Sequence, residues 1–112
     1  RLFMAGKLEE VKSEATRLVN DDRYRYYDFE SQFNRAGYNL MGDGQLQPAL
    51  FVFQLNADLF PESANVWDSL GEAHLKAGDK EKAIQYYQKA LRMDPGGPTG
   101  ANAREMLAQI RR

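Results

Sequence analysis

The sequence superposes on itself at one fixed shift, which places Gly37 on Gly71 and Gly44 on Gly78. Apolar and turn residues recur at the same offset: Phe33 and Trp67, Ala49 and Ala83, Phe53 and Tyr87, Pro61 and Pro95. A fixed period of about 34 residues is typical of a repeat architecture in which each unit is a helical hairpin that cannot bury its apolar face alone. The sequence therefore predicts an all-α fold, a right-handed stack of antiparallel helical hairpins with about two full repeats and flanking helices.

The second unit, residues 64–97, carries the cleaner copy of the pattern. It has large, small and turn residues at fixed offsets: Trp67, Leu70, Gly71, His74, Ala83, Tyr87, Ala90 and Pro95. This order resembles the tetratricopeptide repeat, which is an α-solenoid repeat of the same period. His74 departs from the family pattern, which usually has an aromatic residue there, and a packing role is expected for it.

The first unit, residues 30–63, is a looser copy. Asn56 takes the place of a small apolar residue, and Pro48 enters the second helix. Neither change excludes the repeat, because the first turn of a helix tolerates a proline where its N–H has no partner.

Glycine, proline and capping residues divide the chain into helices. Gly44 and Gly78 are expected to end the first helix of each hairpin in a left-handed conformation. Asp28, Ser63 and Asp79 are expected to cap the helices that follow them. The predicted helices lie near residues 6–20, 29–42, 46–59, 63–77, 80–93 and 100–111.

The whole chain, 1–112, is predicted to be one domain. Residues 1–22 are interpreted as a degenerate N-terminal helix packed on repeat 1 (30–63), although aligning Gly6 with Gly44 needs a shift longer than the repeat period. Residues 98–112, after repeat 2 (64–97), are predicted to be a C-terminal capping helix, with a turn over 96–100. Residues 2–4 are interpreted as the end of a cut helix, and the tyrosines of the linker 23–28 are expected to bury their rings.

Composition excludes several kinds of site. The chain has 15 basic and 16 acidic residues, one histidine and no cysteine. We therefore expect no nucleic-acid partner, because the net charge is close to zero, and no metal, because a single histidine without cysteine has no second ligand of its kind. We expect no cofactor and no catalytic residues, because the phosphate-binding and nucleophile motifs are absent. No segment has the length and apolar content of a membrane span, so no membrane insertion is expected.

Three segments carry a closer resemblance: Phe33–Met41, Phe53–Asn56 and Phe60–Ala73. Their sequence resembles the C-terminal tetratricopeptide tail of bacterial serine hydrolases of the β-lactamase and esterase-like types. The resemblance implies a longer bacterial protein whose catalytic serine lies in an N-terminal domain outside this chain. Many such enzymes are exported, which implies the periplasm or cell envelope.

The predicted function is that of a non-catalytic scaffold for protein–protein interaction, presenting a concave groove to a peptide or partner domain. Helical projection places seven residues in this groove: Asn34, Tyr38, Met41, Asn65, Asp68, Glu72 and Lys76. Asp68 and Glu72 would repel a terminal carboxylate and favour neutral, basic or amide-rich segments, although the same side chains could instead brace neighbouring helices. The alternative function is a structural appendage that packs on the catalytic domain of a serine hydrolase or joins two protomers in a homodimer.

Overall fold

The computed structural model describes residues 5–111, so the segment 2–4 lies outside the described residues. Within that range the chain is helical and contains no strand. One 3₁₀ turn, Asp22–Tyr24, joins the first two of six α-helices. The α-helices are α1 (Ala5–Val19), α2 (Phe29–Gly42), α3 (Leu46–Leu59), α4 (Ala64–Lys76), α5 (Lys80–Met93) and α6 (Pro98–Ile110). From α2 onwards each helix packs on the next, and α2 and α6 both contact α4.

The predicted helix bounds agree with the structure at α2, α3 and α5, and differ by one residue at each end of α1 and α4. Two of the three expected caps are also confirmed. The Asp28 carboxylate accepts a hydrogen bond from Ser31 N at 3.0 Å, and Asp79 accepts one from Lys82 N at 3.1 Å. The third cap is wrong, because Ser63 donates its hydroxyl to Glu30 Oε2 at 2.6 Å and makes no cap of its own. This bond ties the start of α4 to the start of α2.

The glycines of the repeat have the two roles that the pattern predicts. Gly44 and Gly78 have φ of 81° and 88°, in the left-handed region that ends a helix at little cost for glycine. Gly71 and Gly37 allow close approach between the helices of one hairpin. A Cβ on Gly37 would lie 2.6 Å from the Phe53 ring, which is too close for any side chain to fit without a shift.

The core forms two connected clusters. The first cluster joins α3 and α4 around Phe53 and Leu70, which are 1% and 0% exposed. The second joins α5 and α6 around Tyr87 and Leu107, and Trp67 packs against both clusters. The stack is therefore continuous from the first hairpin to α6.

Asn56 is a polar residue inside this apolar stack. It is 1% exposed, and its Nδ2 donates to the Glu30 carbonyl oxygen at 3.1 Å. Its Oδ1 is buried without a hydrogen-bond partner among the described residues. A buried polar atom without a partner costs stability, so the substitution of a small apolar residue by asparagine weakens the first unit.

The start of α6 differs from the sequence prediction. The helix begins at Pro98, inside the predicted turn, because proline suits the first position of a helix and Asp94 supplies the missing cap from before it. Asp94 Oδ2 accepts hydrogen bonds from the backbone N–H groups of Thr99 and Gly100 at 3.2 and 3.3 Å. A Cβ on Gly100 would overlap the Asp94 carbonyl oxygen. This glycine therefore sets how closely α6 approaches the end of α5.

The N-terminal helix packs much less closely than predicted. Among its described side chains only Ala15 is buried, and the one ion pair that these side chains make with the repeats joins Lys12 Nζ to Asp58 Oδ2 of α3 at 3.1 Å. The expectation that the linker tyrosines bury their rings is also wrong, because Tyr24, Tyr26 and Tyr27 are 40%, 89% and 54% exposed. Tyr26 lies under the Arg25 guanidinium at 5.1 Å.

Candidate functional site

The first helices of the hairpins form one face of the molecule. Helices α2 and α4 begin about one repeat apart, and α6 begins a further repeat after α4, at Pro98. Helix α6, which the sequence predicts to be a capping helix, thus occupies the position that the first helix of a third repeat would have. Equivalent positions follow this spacing: Asn34, Asp68 and Asn102 form one row, and Tyr38, Glu72 and Met106 form the next.

Helices α2 and α4 are joined by polar side chains on this face. Ser69 Oγ donates to Asn34 Oδ1 at 2.7 Å. The Tyr38 hydroxyl donates to Glu72 Oε1 at 2.8 Å and lies 3.3 Å from Ser69 Oγ. Ser69 is 1% exposed, so its hydroxyl is fixed at the centre of these contacts.

Helices α4 and α6 are joined in the same manner. Asn102 Nδ2 donates to both oxygens of the Asp68 carboxylate, at 2.9 and 3.1 Å. We call the side chains that link the three first helices the polar ladder: Asn34, Tyr38, Asp68, Ser69, Glu72 and Asn102.

Burial and charge shape the protonation of the ladder. Burial raises the pKa of Asp68; the hydrogen bond from Asn102 lowers it and the charge of Glu72 raises it further. Burial also raises the pKa of the Tyr38 hydroxyl well above its usual value, so this group remains a hydrogen-bond donor. Neither Asp68 nor Glu72 has a basic side chain within salt-bridge distance among the described side chains, those of residues 9–111. The ladder therefore holds two carboxylates whose partners are all neutral.

The seven residues that the sequence places in a groove do not all meet. Asn34, Tyr38, Asp68 and Glu72 belong to the ladder. Met41 is half-buried against the first core cluster, and Asn65 and Lys76 are exposed on α4 without a ladder contact. Two ladder residues, Ser69 and Asn102, are absent from the sequence prediction. The signal for Asn102 was available, because it stands one repeat after Asp68.

His74 lies on another side of α4, where it packs. Its ring centroid is 5.3 Å from that of Tyr86, which in turn stacks on Trp67 at 5.8 Å. The Lys89 ammonium lies 4.7 Å from the centre of the Trp67 ring. Burial lowers the pKa of His74, which favours the neutral ring within this aromatic row.

A metal site and a membrane-spanning helix are both absent from the part of the chain that the structure describes. No group of three histidine, cysteine, aspartate or glutamate side chains within 5–111 is placed to hold a metal ion. No helix in that range combines the length and hydropathy needed to cross a bilayer.

Comparison with known proteins supports the repeat. Residues 64–96 match the tetratricopeptide repeat family. A segment of 52 residues is 31% identical to the Protein CTR9 homolog of Arabidopsis thaliana, covering 46% of this chain but 5% of that protein. The chain also resembles the crystal structure of PcrH in complex with the chaperone-binding region of PopD, with a TM-score of 0.66 over 96% of this chain and 80% of that one. Sequence identity to PcrH is 22%, so this likeness concerns the fold, which is a tetratricopeptide-like helical solenoid.

Proposed function

We propose that the chain is a non-catalytic module for protein–protein interaction and that it binds a peptide or partner domain on the polar-ladder face. The observation that carries the proposal is the pair of half-buried carboxylates, Asp68 and Glu72, which no basic side chain of the described chain neutralises. The solved relative in fold supports it, because PcrH holds a segment of another protein in its crystal structure.

The charge of the ladder selects the chemistry of the ligand. A lysine or arginine side chain, or an amide-rich segment, can donate hydrogen bonds to Asp68 and Glu72, whereas a terminal carboxylate meets like charge. Tyr38 lies beside both acids and can add apolar contact to a peptide backbone. The exposed Asn65 and Lys76, and the half-buried Met41, extend the face along α2 and α4.

The contacts of the two acids also support their second expected role. Asp68 braces α6 and Glu72 braces α2, so a variant that removes them alters stability as well as charge. The two roles are compatible, because a carboxylate oxygen has more than one lone pair and can accept a hydrogen bond from a ligand beside the one it already accepts.

A peptide array separates binding from bracing. The test variant combines Asp68→Asn with Glu72→Gln, which removes both charges and keeps an oxygen that can accept from Asn102 and Tyr38. The matched control combines Glu81→Gln with Glu105→Gln, two exposed acids outside the ladder. We expect the test variant alone to lose basic ligands by about tenfold in affinity while its melting temperature stays close to that of the control. An array that returns only peptides with a free acidic C-terminus contradicts the proposal.

The resemblance to the tail of a bacterial serine hydrolase rests on the sequence and remains a prediction. Under it the partner on the ladder face would be the catalytic domain itself rather than a separate peptide. The same array distinguishes the two, because a fixed partner domain leaves short basic peptides unbound.

A further inference from the structure

An apolar gap separates α1 from α2. It has a volume of about 420 Å³, and a second gap of about 380 Å³ shares part of its wall. The two have Leu18, Tyr27 and Phe29 in common. Val11, Ala15 and Phe33 also line the larger gap, together with two polar side chains, Glu14 and Gln32. A space of this size beside aromatic side chains holds several apolar groups from another molecule.

Exposed apolar side chains concentrate on α1 and on the linker that follows it, from which Tyr24 and Tyr27 line the gaps. Val11, Tyr24, Tyr26 and Tyr27 are 45%, 40%, 89% and 54% exposed. Over the described part of the chain the remaining exposed large apolar side chain is Met93, at 37%, on α5. An apolar patch of this kind on a small protein marks an interaction surface. We call it the α1 face.

The charges around the α1 face have both signs. Glu10 and Arg17 are exposed along one flank of α1, and Arg23 and Arg25 lie in the linker. A surface with this mixture selects neither a strongly acidic nor a strongly basic partner. It can, however, complement itself, which is the requirement for an interface between two identical chains related by a twofold axis.

We propose that the α1 face pairs with the α1 face of a second copy of this chain, with the two α1 helices antiparallel. Val11, Ala15 and Leu18 are spaced by four and three residues, so they form one apolar seam along the helix. Glu10 precedes Val11, Arg17 precedes Leu18, and both flank that seam. An antiparallel twofold arrangement therefore brings Glu10 of each copy beside Arg17 of the other. Among the described side chains of one chain Arg17 pairs with an exposed neighbour, Glu14, so its guanidinium can bridge Glu14 and the Glu10 of the second copy.

The α1 face and the polar-ladder face use different sides of α2. Phe29 and Phe33 line the gap, whereas Asn34 and Tyr38 face α4. Pairing through α1 therefore leaves both ladder faces of a dimer open, and it does not rest on the proposed function.

Sedimentation analysis of the full chain tests the pairing. We expect a mass of twice 12.8 kDa at high concentration. Val11→Glu should raise the dimer dissociation constant by at least about tenfold, because it places a charge in the seam. Met93→Glu, the same kind of change at a similarly exposed apolar residue on α5, should leave that constant unchanged. A wild-type chain that stays monomeric up to about 1 mM overturns the proposal.

A charge swap tests the antiparallel geometry. Glu10→Arg alone and Arg17→Glu alone should each weaken the dimer, and the two changes together should restore it, because opposite charges meet again. These residues are exposed, so the swap decides the question even if Val11→Glu disturbs folding. A dimer that the double change does not restore, or that Met93→Glu weakens as much as Val11→Glu, excludes the α1 arrangement.

Discussion

The two helices that flank the repeated hairpins, α1 and α6, differ in how they join the core. Helix α6 buries Gly100, Ala103 and Leu107. Helix α1 buries only Ala15 among its described side chains and leaves a gap beside α2. The two helices have 15 and 13 residues, and the sequence of each contains six apolar residues, so apolar content does not explain the difference.

Register explains it. Helix α6 starts one repeat after α4, so its side chains meet the same kind of surface that α4 meets on α3. A second helix one repeat before α3, which ends at Leu59, would end at position 25, whereas α1 ends at Val19. The shift from Gly6 to Gly44 also exceeds the repeat period, so the sequence and the structure both place α1 too early in the chain. A flanking helix in register gains the interface of a repeat, and one out of register does not.

Deletion of each flanking helix should give the largest effect on stability. Removing residues 98–112 exposes Tyr87 and the apolar face of α5, so the melting temperature should fall by more than about 10 °C. Removing residues 1–20 should lower it by less than about 4 °C. Calorimetry of both truncated chains provides the measurement. As a point control, Leu107→Ala should lower the free energy of unfolding by about 2–5 kcal/mol and Leu18→Ala by less than about 1 kcal/mol. Equal losses for the two variants would refute the comparison.

The N-terminus of α6 should be sensitive to a single methyl group. Gly100→Ala places a Cβ against the Asp94 carbonyl oxygen, so it should lower the free energy of unfolding by about 1–3 kcal/mol. Gly42→Ala, at the end of α2, meets no atom within 4 Å and should be neutral or slightly stabilising. Urea unfolding compares the two. If Gly100→Ala left the free energy of unfolding unchanged, α6 could move away from the end of α5 without a loss of stability.

The bonds that hold the two flanks should differ in strength. A double-mutant cycle on Asp68 and Asn102 should give a coupling of about 1 kcal/mol, because the bond is charge-assisted and partly shielded. The same cycle on Lys12 and Asp58 should show a smaller coupling that disappears in about 1 M salt, because that pair is exposed. If the Lys12 cycle gave the larger coupling, α1 would be held by electrostatics in place of packing.

The smallest expected effect is a pH dependence that differs between the flanks. The pKa of Asp68 is raised in the folded chain, mainly by burial, so the folded state takes up a proton more readily than the unfolded state. Stability should therefore rise, relative to Asp68→Asn, as pH falls through the raised pKa towards 3.8. The bond to Asp58 raises the pKa of Lys12. The stability that this ion pair contributes is therefore lost only as pH rises above 10.5. The free energy of unfolding of wild type and of Asp68→Asn, measured across pH, gives the sign of this effect. If the wild-type value minus the variant value decreases as pH falls, the prediction is contradicted.

The hairpins could be predicted from sequence because their signals are local. Gly44, Gly78, Asp28 and Asp79 act within a few residues of their own position, and the helices they delimit lie where expected. The start of α6 was misplaced because its cap, Asp94, reaches over Gly96 and Gly97, which by themselves indicate a turn.

The ladder could be predicted only in part. Helical projection places Asn34, Tyr38, Asp68 and Glu72 on one face, but it does not tell which polar groups meet across helices. Ser69 directly follows Asp68 in the sequence, which does not indicate its partners. The packing of α4 against α2 buries its hydroxyl between Asn34 and Tyr38. Whether the face binds a ligand stays a prediction.

The row formed by Asn34, Asp68 and Asn102 also limits how the units can be exchanged. Asp68 receives its hydrogen bonds from an asparagine amide one repeat later. If the segment 64–97 were copied in tandem, that amide would be replaced by another aspartate, and two carboxylates would face each other at hydrogen-bond distance. Like charges this close raise the free energy of the folded state. The two helices are therefore not interchangeable, and the pair formed by Asp68 and Asn102 fixes the order of α4 and α6 along the chain.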